Sequence, residues 1–258
     1  MEADTNNEMT IDGDRGDRVR RHQLPFEPAR GAMQTLMDDL GRGAVAPPGT
    51  RDERGQSIIS SDALAAVGEG KMFGVLTGVS GRGRTTTLRA FSGQLGGAWV
   101  IPGWCGPLFD VTEWRALEGE FEPPIKELTN LIERRRAAGA ASGELSALKS
   151  RRAGLSRALM QRYQALYRVP SFHGQPRTLP ALFGDTAPPP SGAGDCCAPK
   201  LLAAAIADGV RPTGMVEFYW GGANKTRTRA HGRIYPPCVE KCGPLLGFML
   251  SGEPERTA

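Results

Sequence analysis

Cysteines stand at the places where two helices should begin. Cys196 lies in Gly194-Asp195-Cys196-Cys197-Ala198-Pro199-Lys200, and Cys238 and Cys242 lie in Pro236-Pro237-Cys238-Val239-Glu240-Lys241-Cys242. Pro199 fits a helix only in its first turn, where amide hydrogens have no intrahelical partner, so the helix over Ala198 to Ala207 must start at Cys196. Leu201, Leu202 and Ile206 give that helix an apolar face and Gly209 gives it a stop. Pro244 marks the first turn of a final helix through Leu250, which Cys238 and Cys242 should precede. A helix N-terminus carries partial positive charge and favours thiolate over thiol. Thiolates brought together in this way are metal ligands, and Zn2+ is the expected ion. Zinc takes about four ligands, so Cys196, Cys238 and Cys242 leave one place for water, Cys197 or His231. A fully protein-ligated site would be structural, and an open one could be catalytic. The plain alternative is a set of unligated buried cysteines, each behaving as a small hydrophobe.

Few other side chains compete for chemistry. Glu217 lies in the strand-like run Gly214-Met215-Val216-Glu217-Phe218-Tyr219-Trp220 and is a weak candidate for moving a proton. Cys105 has no cysteine near it in sequence and reads as structural, and His22 and His173 are isolated. Gly78-Val79-Ser80-Gly81-Arg82-Gly83-Arg84-Thr85 imitates a phosphate-binding loop with Arg in place of Lys. A true loop of that kind leads into a helix. Here Thr85-Thr86-Thr87 and the later Gly93 favour a strand, so Met72–Val79 and Thr85–Phe91 are expected to form a hairpin.

The elements that position the thiols are strand, strand, helix, strand and helix, which is an α/β arrangement: a mixed sheet flanked by helices. Ala32–Leu40 and Ser61–Val67 are expected as short helices before it. Residues 121–169 read as a helical insertion. Pro123 and Pro124 start one helix, Ile125, Leu128, Leu131 and Ile132 continue it, and Gly139 to Gly143 interrupt it. Leu145, Leu148, Leu155, Leu159, Tyr163 and Leu166 then share one face of a second helix ending before Pro170. Residues 1–22 are charged and apolar-poor and are expected as a disordered leader, with 23–258 as a single domain.

The chain has 258 residues and a net charge of +4, which permits a polyanionic partner. The positive charge is concentrated. On the exposed face of the helical insertion, Arg134, Arg135, Arg136, Lys149, Arg151, Arg152, Arg157, Arg162 and Arg168 are expected to stand against Glu133 and Glu144. Lys225, Arg227, Arg229, His231 and Arg233 form a second cluster beside Tyr219, Trp220 and Tyr235. Cations attract phosphates and aromatic faces stack unpaired bases, so RNA is the expected partner of Lys225, Arg227, Arg229, Arg233, Arg134, Arg135, Arg136, Arg151 and Arg152. Solvated helix faces are the plain alternative. No apolar run approaches the length of a membrane span, and no membrane contact is expected. Five cysteines without an export signal point to a reducing, cytoplasmic setting.

Two resemblances follow from these motifs. The strand-strand-helix-strand-helix order with its cysteines resembles the core of the cytidine-deaminase fold, particularly toxin-type members carrying Cys-Ala-Glu-Pro-Lys. Gly70-Lys71-Met72-Phe73-Gly74-Val75-Leu76, Ala90-Phe91-Ser92-Gly93, Cys196 to Leu202, Val216-Glu217-Phe218-Tyr219-Trp220-Gly221 and Tyr235-Pro236-Pro237-Cys238 with Lys241-Cys242 are together similar to the N-terminal accessory region of large RluA-type pseudouridine synthases. That second likeness spans residues 60–250. It implies a zinc-binding, RNA-associated accessory domain with a deaminase-like core, and a separately encoded pseudouridine synthase as a partner. The departures are specific. Ala198 stands where a deaminase carries its proton-shuttling Glu, and Cys238-x-x-x-Cys242 is one residue wider than the deaminase pair. The His-Arg-Leu-Asp-like motif of the synthase catalytic domain is not in this sequence. Deaminase activity is therefore not expected. The alternatives are an RNA-modifying enzyme, either a divergent zinc nucleobase deaminase that uses Glu217 or a pseudouridine synthase component, and a protein-interaction module.

Overall fold

The computed structural model describes residues 9–13, 20–46, 49–56, 70–184, 188–224 and 226–251. Its central sheet has four strands in the order β4-β3-β7-β8: β3 (Lys71–Ser80), β4 (Thr85–Phe91), β7 (Val210–Trp220) and β8 (Ile234–Tyr235). All three pairings are antiparallel. The turn Gly81–Arg84 closes β3 onto β4, so the glycine-rich segment is a hairpin connection rather than a phosphate cradle. The fold is α/β, with helices on both faces of the sheet.

Alternation along the strands assigns those faces. Leu76, Ala90 and Met215 pack with α5 (Cys197–Ala207) and α6 (Val239–Ser251), against Leu201, Leu202, Leu245 and Met249. Phe73, Val75, Phe91, Val216 and Phe218 pack on the opposite side with Met33, Leu36 and Leu40 of α1 (Arg30–Gly41) and with Trp104. Gly74 faces α5, where an added Cβ would come within 2.8 Å of Cys197 Cβ. The missing side chain lets the N-terminus of α5 lie directly on β3.

The helical pair is present with earlier bounds than expected. α2 runs over Val111–Ala137 and α3 over Ser142–Leu166. Pro123 and Pro124 fall inside α2, because Asp110 caps the helix instead: its carboxylate accepts from the N–H groups of Thr112 and Glu113. The two helices pack on each other and form an arm whose root carries an aromatic cluster. Trp114 stacks on Tyr163 at 3.6 Å between ring centroids, and Phe109, Trp99 and Tyr167 surround the pair.

Two further expectations change. Met9–Gly13 (β1), within the expected leader, pairs antiparallel with Arg20–Leu24 (β2), which runs across its end, and β1 lies against α6; paired strands satisfy their backbone groups at the cost of ordering few residues. Cys242 does not precede the last helix but sits in its first turn, since α6 begins at Val239 and Pro244 is interior. The expected helix Ser61–Val67 lies outside the described residues. The remaining elements are β5 (Arg168–Val169), β6 (Arg177–Thr178) and the single turn α4 (Leu179–Phe183).

Candidate metal centre

Cys196 is the N-cap of α5, Cys238 immediately precedes α6, and Cys242 is four residues further on. The α5–β7 connection and the β7–β8 hairpin carry the chain from one helix start to the other, which closes a separation of 42 residues. Cys196 Sγ and Cys238 Sγ are 3.8 Å apart, and the three sulfurs all lie within 4.8 Å of one another. Four sulfurs at zinc bond lengths of about 2.3 Å stand about 3.8 Å apart along a tetrahedral edge, so the donor set fits a zinc-sized, thiolate-binding ion. No disulfide joins them, and Cys196 and Cys238 keep part of their surface exposed while Cys242 is buried.

Backbone amides support the sulfurs. Gly194 N–H serves Cys242 and Lys241 N–H serves Cys238, while Cys242 N–H donates to the Cys238 carbonyl at 3.2 Å. The thiols share protons unequally. Cys238 is driven strongly toward thiolate by the hydrogen bonds that Cys196 and Cys242 direct at it, and Cys196 is driven the other way as the corresponding donor.

The two residues expected to complete the coordination are elsewhere. Cys197 faces the sheet, with Sγ directed at the Met72 carbonyl at 3.4 Å, because adjacent residues at a helix start cannot both face one cluster. His231 sits on the β7–β8 loop, where Nδ1 accepts from Gly221 N–H and the ring covers Trp220 at 4.1 Å. Among the described residues, Cys196, Cys238 and Cys242 form the one group of three or more metal-ligating side chains within reach of a single ion.

Glu217 projects from β7 toward α5 and is 3% exposed. Its carboxylate accepts from Ala198 N–H at 2.7 Å and from Cys197 N–H. The N-cap residue Cys196 makes no side-chain cap bond, so Glu217 does that work from across the interface. Burial pushes its carboxyl up to about 7, partly offset by the two amides. The crevice beside it, lined by Phe26, Met215, Ile234, Tyr235 and Pro236, has room for little more than one water.

A group of buried and half-buried ionisable residues that sequence reading missed surrounds the thiols. Lys200 is fully buried; its Nζ donates to the Phe91 and Gly93 carbonyls and lies over the Phe91 ring at 4.8 Å. Burial pushes its amine down to about 8. Lys71 Nζ donates to the Ser92 carbonyl and is also lowered by burial. Asp195, beside Cys196, accepts from Tyr167 O–H at 2.5 Å and is raised by burial. The only sequence signal for these residues was that Asp195 and Lys200 flank the cysteine motif.

The basic residues fall in two places. Arg134, Arg135 and Arg136 are exposed in the last turn of α2, where cations complement the helix dipole, and Arg135 pairs with Glu144. On α3, Arg151 is exposed and Arg152 half-buried. On the β7–β8 loop, Arg227 and Arg233 are exposed, Arg229 lies over Tyr235 at 4.1 Å, and Lys225 is outside the described residues. His231 lies against the Trp220 ring and Arg229 over one face of Tyr235. Within the described residues no helix is long and apolar enough to cross a membrane. Compared with protein-family models, curated proteins and solved structures, the chain matches none.

Proposed function

We propose that this chain is a zinc-binding, RNA-associated accessory module without deaminase activity. The convergence of Cys196, Cys238 and Cys242 at zinc-like sulfur spacing carries the reading. The ion joins the starts of α5 and α6 and so ties together the elements on one face of the sheet. Three observations favour a structural role over turnover: Ala198 at the shuttle position, Glu217 engaged as a helix cap, and a crevice too small for a base. RNA would be held through phosphates by Arg134–Arg136 and by Arg227 and Arg233. The motif resemblance makes a separately encoded pseudouridine synthase, working in the cytoplasm, the first protein partner to try.

The test is metal content and melting of the purified chain beside Cys238→Ser, together with an assay for cytidine and adenosine conversion. Zinc at one equivalent, lost in the variant along with several degrees of Tm and with no turnover in either protein, supports the reading. Base conversion abolished by Glu217→Gln would establish the enzyme reading instead.

A further inference from the structure

Tyr167 joins the helical arm to two of the three sulfurs. It follows α3 directly, and its ring belongs to the aromatic cluster at the arm's root, 4.9 Å from Phe109 and 6.5 Å from Trp114. Its hydroxyl donates to Asp195 Oδ1 at 2.5 Å. Asp195 is also fixed through its backbone: its carbonyl accepts from Gly93 N–H and its N–H donates to the Gly192 carbonyl. The next residue is Cys196. The Tyr167 ring lies so close to Gly194 that an added Cβ there would meet it at 2.8 Å, and Gly194 has φ +87°, where side chains are strained. The N–H of Gly194 is the one that serves Cys242. A single side chain of the arm therefore sets both the residue before one ligand and the amide that supports another.

Groups that orient metal ligands from behind commonly change affinity by about 10–100-fold when removed. Binding at one place and order at another, when linked through such a contact, are reciprocal. We propose that Tyr167 is a positioning residue for the thiol centre, and that through it metal binding and ordering of the α2–α3 arm are thermodynamically coupled. This rests on the metal-centre reading above. The ion would hold the arm's root still, and an occupant of the arm would in turn tighten the ion.

The experiment is hydrogen exchange on the full chain, with and without one equivalent of zinc, for the natural sequence and Tyr167→Phe, which keeps the ring and loses the hydroxyl. Cobalt in place of zinc gives a thiolate charge-transfer spectrum as an independent readout of the centre. The expected result is zinc-dependent protection at the root of the arm (111–118 and 160–167) as well as in α5 and α6. In Tyr167→Phe the ion still binds, about tenfold or more weakly, with an altered cobalt spectrum and without protection of the root. Zinc that protects α5 and α6 but leaves the arm unchanged overturns the coupling alone. A Tyr167→Phe protein with unchanged affinity and spectrum also overturns it. Failure of the natural sequence to take up either metal overturns the coupling together with the reading beneath it.

Discussion

Glu217 performs a task that the N-cap of its partner helix cannot. Cys196 makes no side-chain cap bond, and the carboxylate reaches from β7 to the N–H groups of Ala198 and Cys197 instead. Glu217→Ala should cost about 1–2 kcal/mol in urea unfolding, as lost caps do, and Glu217→Gln should recover most of it by keeping an acceptor. Lys200 gives a signed pH dependence. Its folded amine is lowered from 10.5 to about 8, so between those values the folded chain binds fewer protons at this site than the unfolded chain. Stability contributed by Lys200 must therefore rise with pH across that window, while the burial penalty is full below it. The stability difference between the natural chain and Lys200→Met should move in favour of the natural chain from about pH 8 to about pH 10; a flat difference would contradict this assignment. The start of α5 was legible because Pro199 tolerates only one position. The Glu217 cap was not, since a partner 19 residues away on another element leaves no periodic trace.

Among the elements, the arm was legible as a helical pair through its leucine spacing, but its first helix was read too short. Two prolines looked like a beginning, whereas Asp110 followed by Thr112-Glu113 was the true start signal. Prolines inside α2 remove backbone bonds and strain the preceding turn. Pro123→Ala with Pro124→Ala should slow amide exchange through the middle of α2, by an amount set by the roughly 3 kcal/mol that interior proline costs a helix. The ion pair Arg135–Glu144 at the far end is exposed on both sides, so Glu144→Ala should change stability by less than about 1 kcal/mol. The hairpin β3–β4 and the buried strand β7 were legible from β-branched and aromatic runs. The contact between the arm's root and the thiol centre was not, because Tyr167 and Asp195 are joined only by tertiary packing.

At the scale of the molecule, charge and metal divide the work. A net +4 is modest, and the exposed arginines at the end of α2 and on the β7–β8 loop are part of it. If these regions contact phosphates, binding must weaken steeply with salt. Arg134→Gln with Arg135→Gln and Arg136→Gln should reduce the log–log salt slope by up to about 2 for single strands, in a filter-binding or anisotropy titration across RNAs of different sequence. An unchanged slope would remove the arm from the interface. The cysteine cluster was legible as a set of three, and its exclusion of Cys197 and His231 required the fold. Absorption spectroscopy at the zinc edge of the full chain, purified under reducing conditions, bears on the centre most directly. One zinc per chain with about three sulfurs near 2.3 Å is the predicted result. Protein without stoichiometric zinc, or zinc surrounded by nitrogen and oxygen alone, would contradict it.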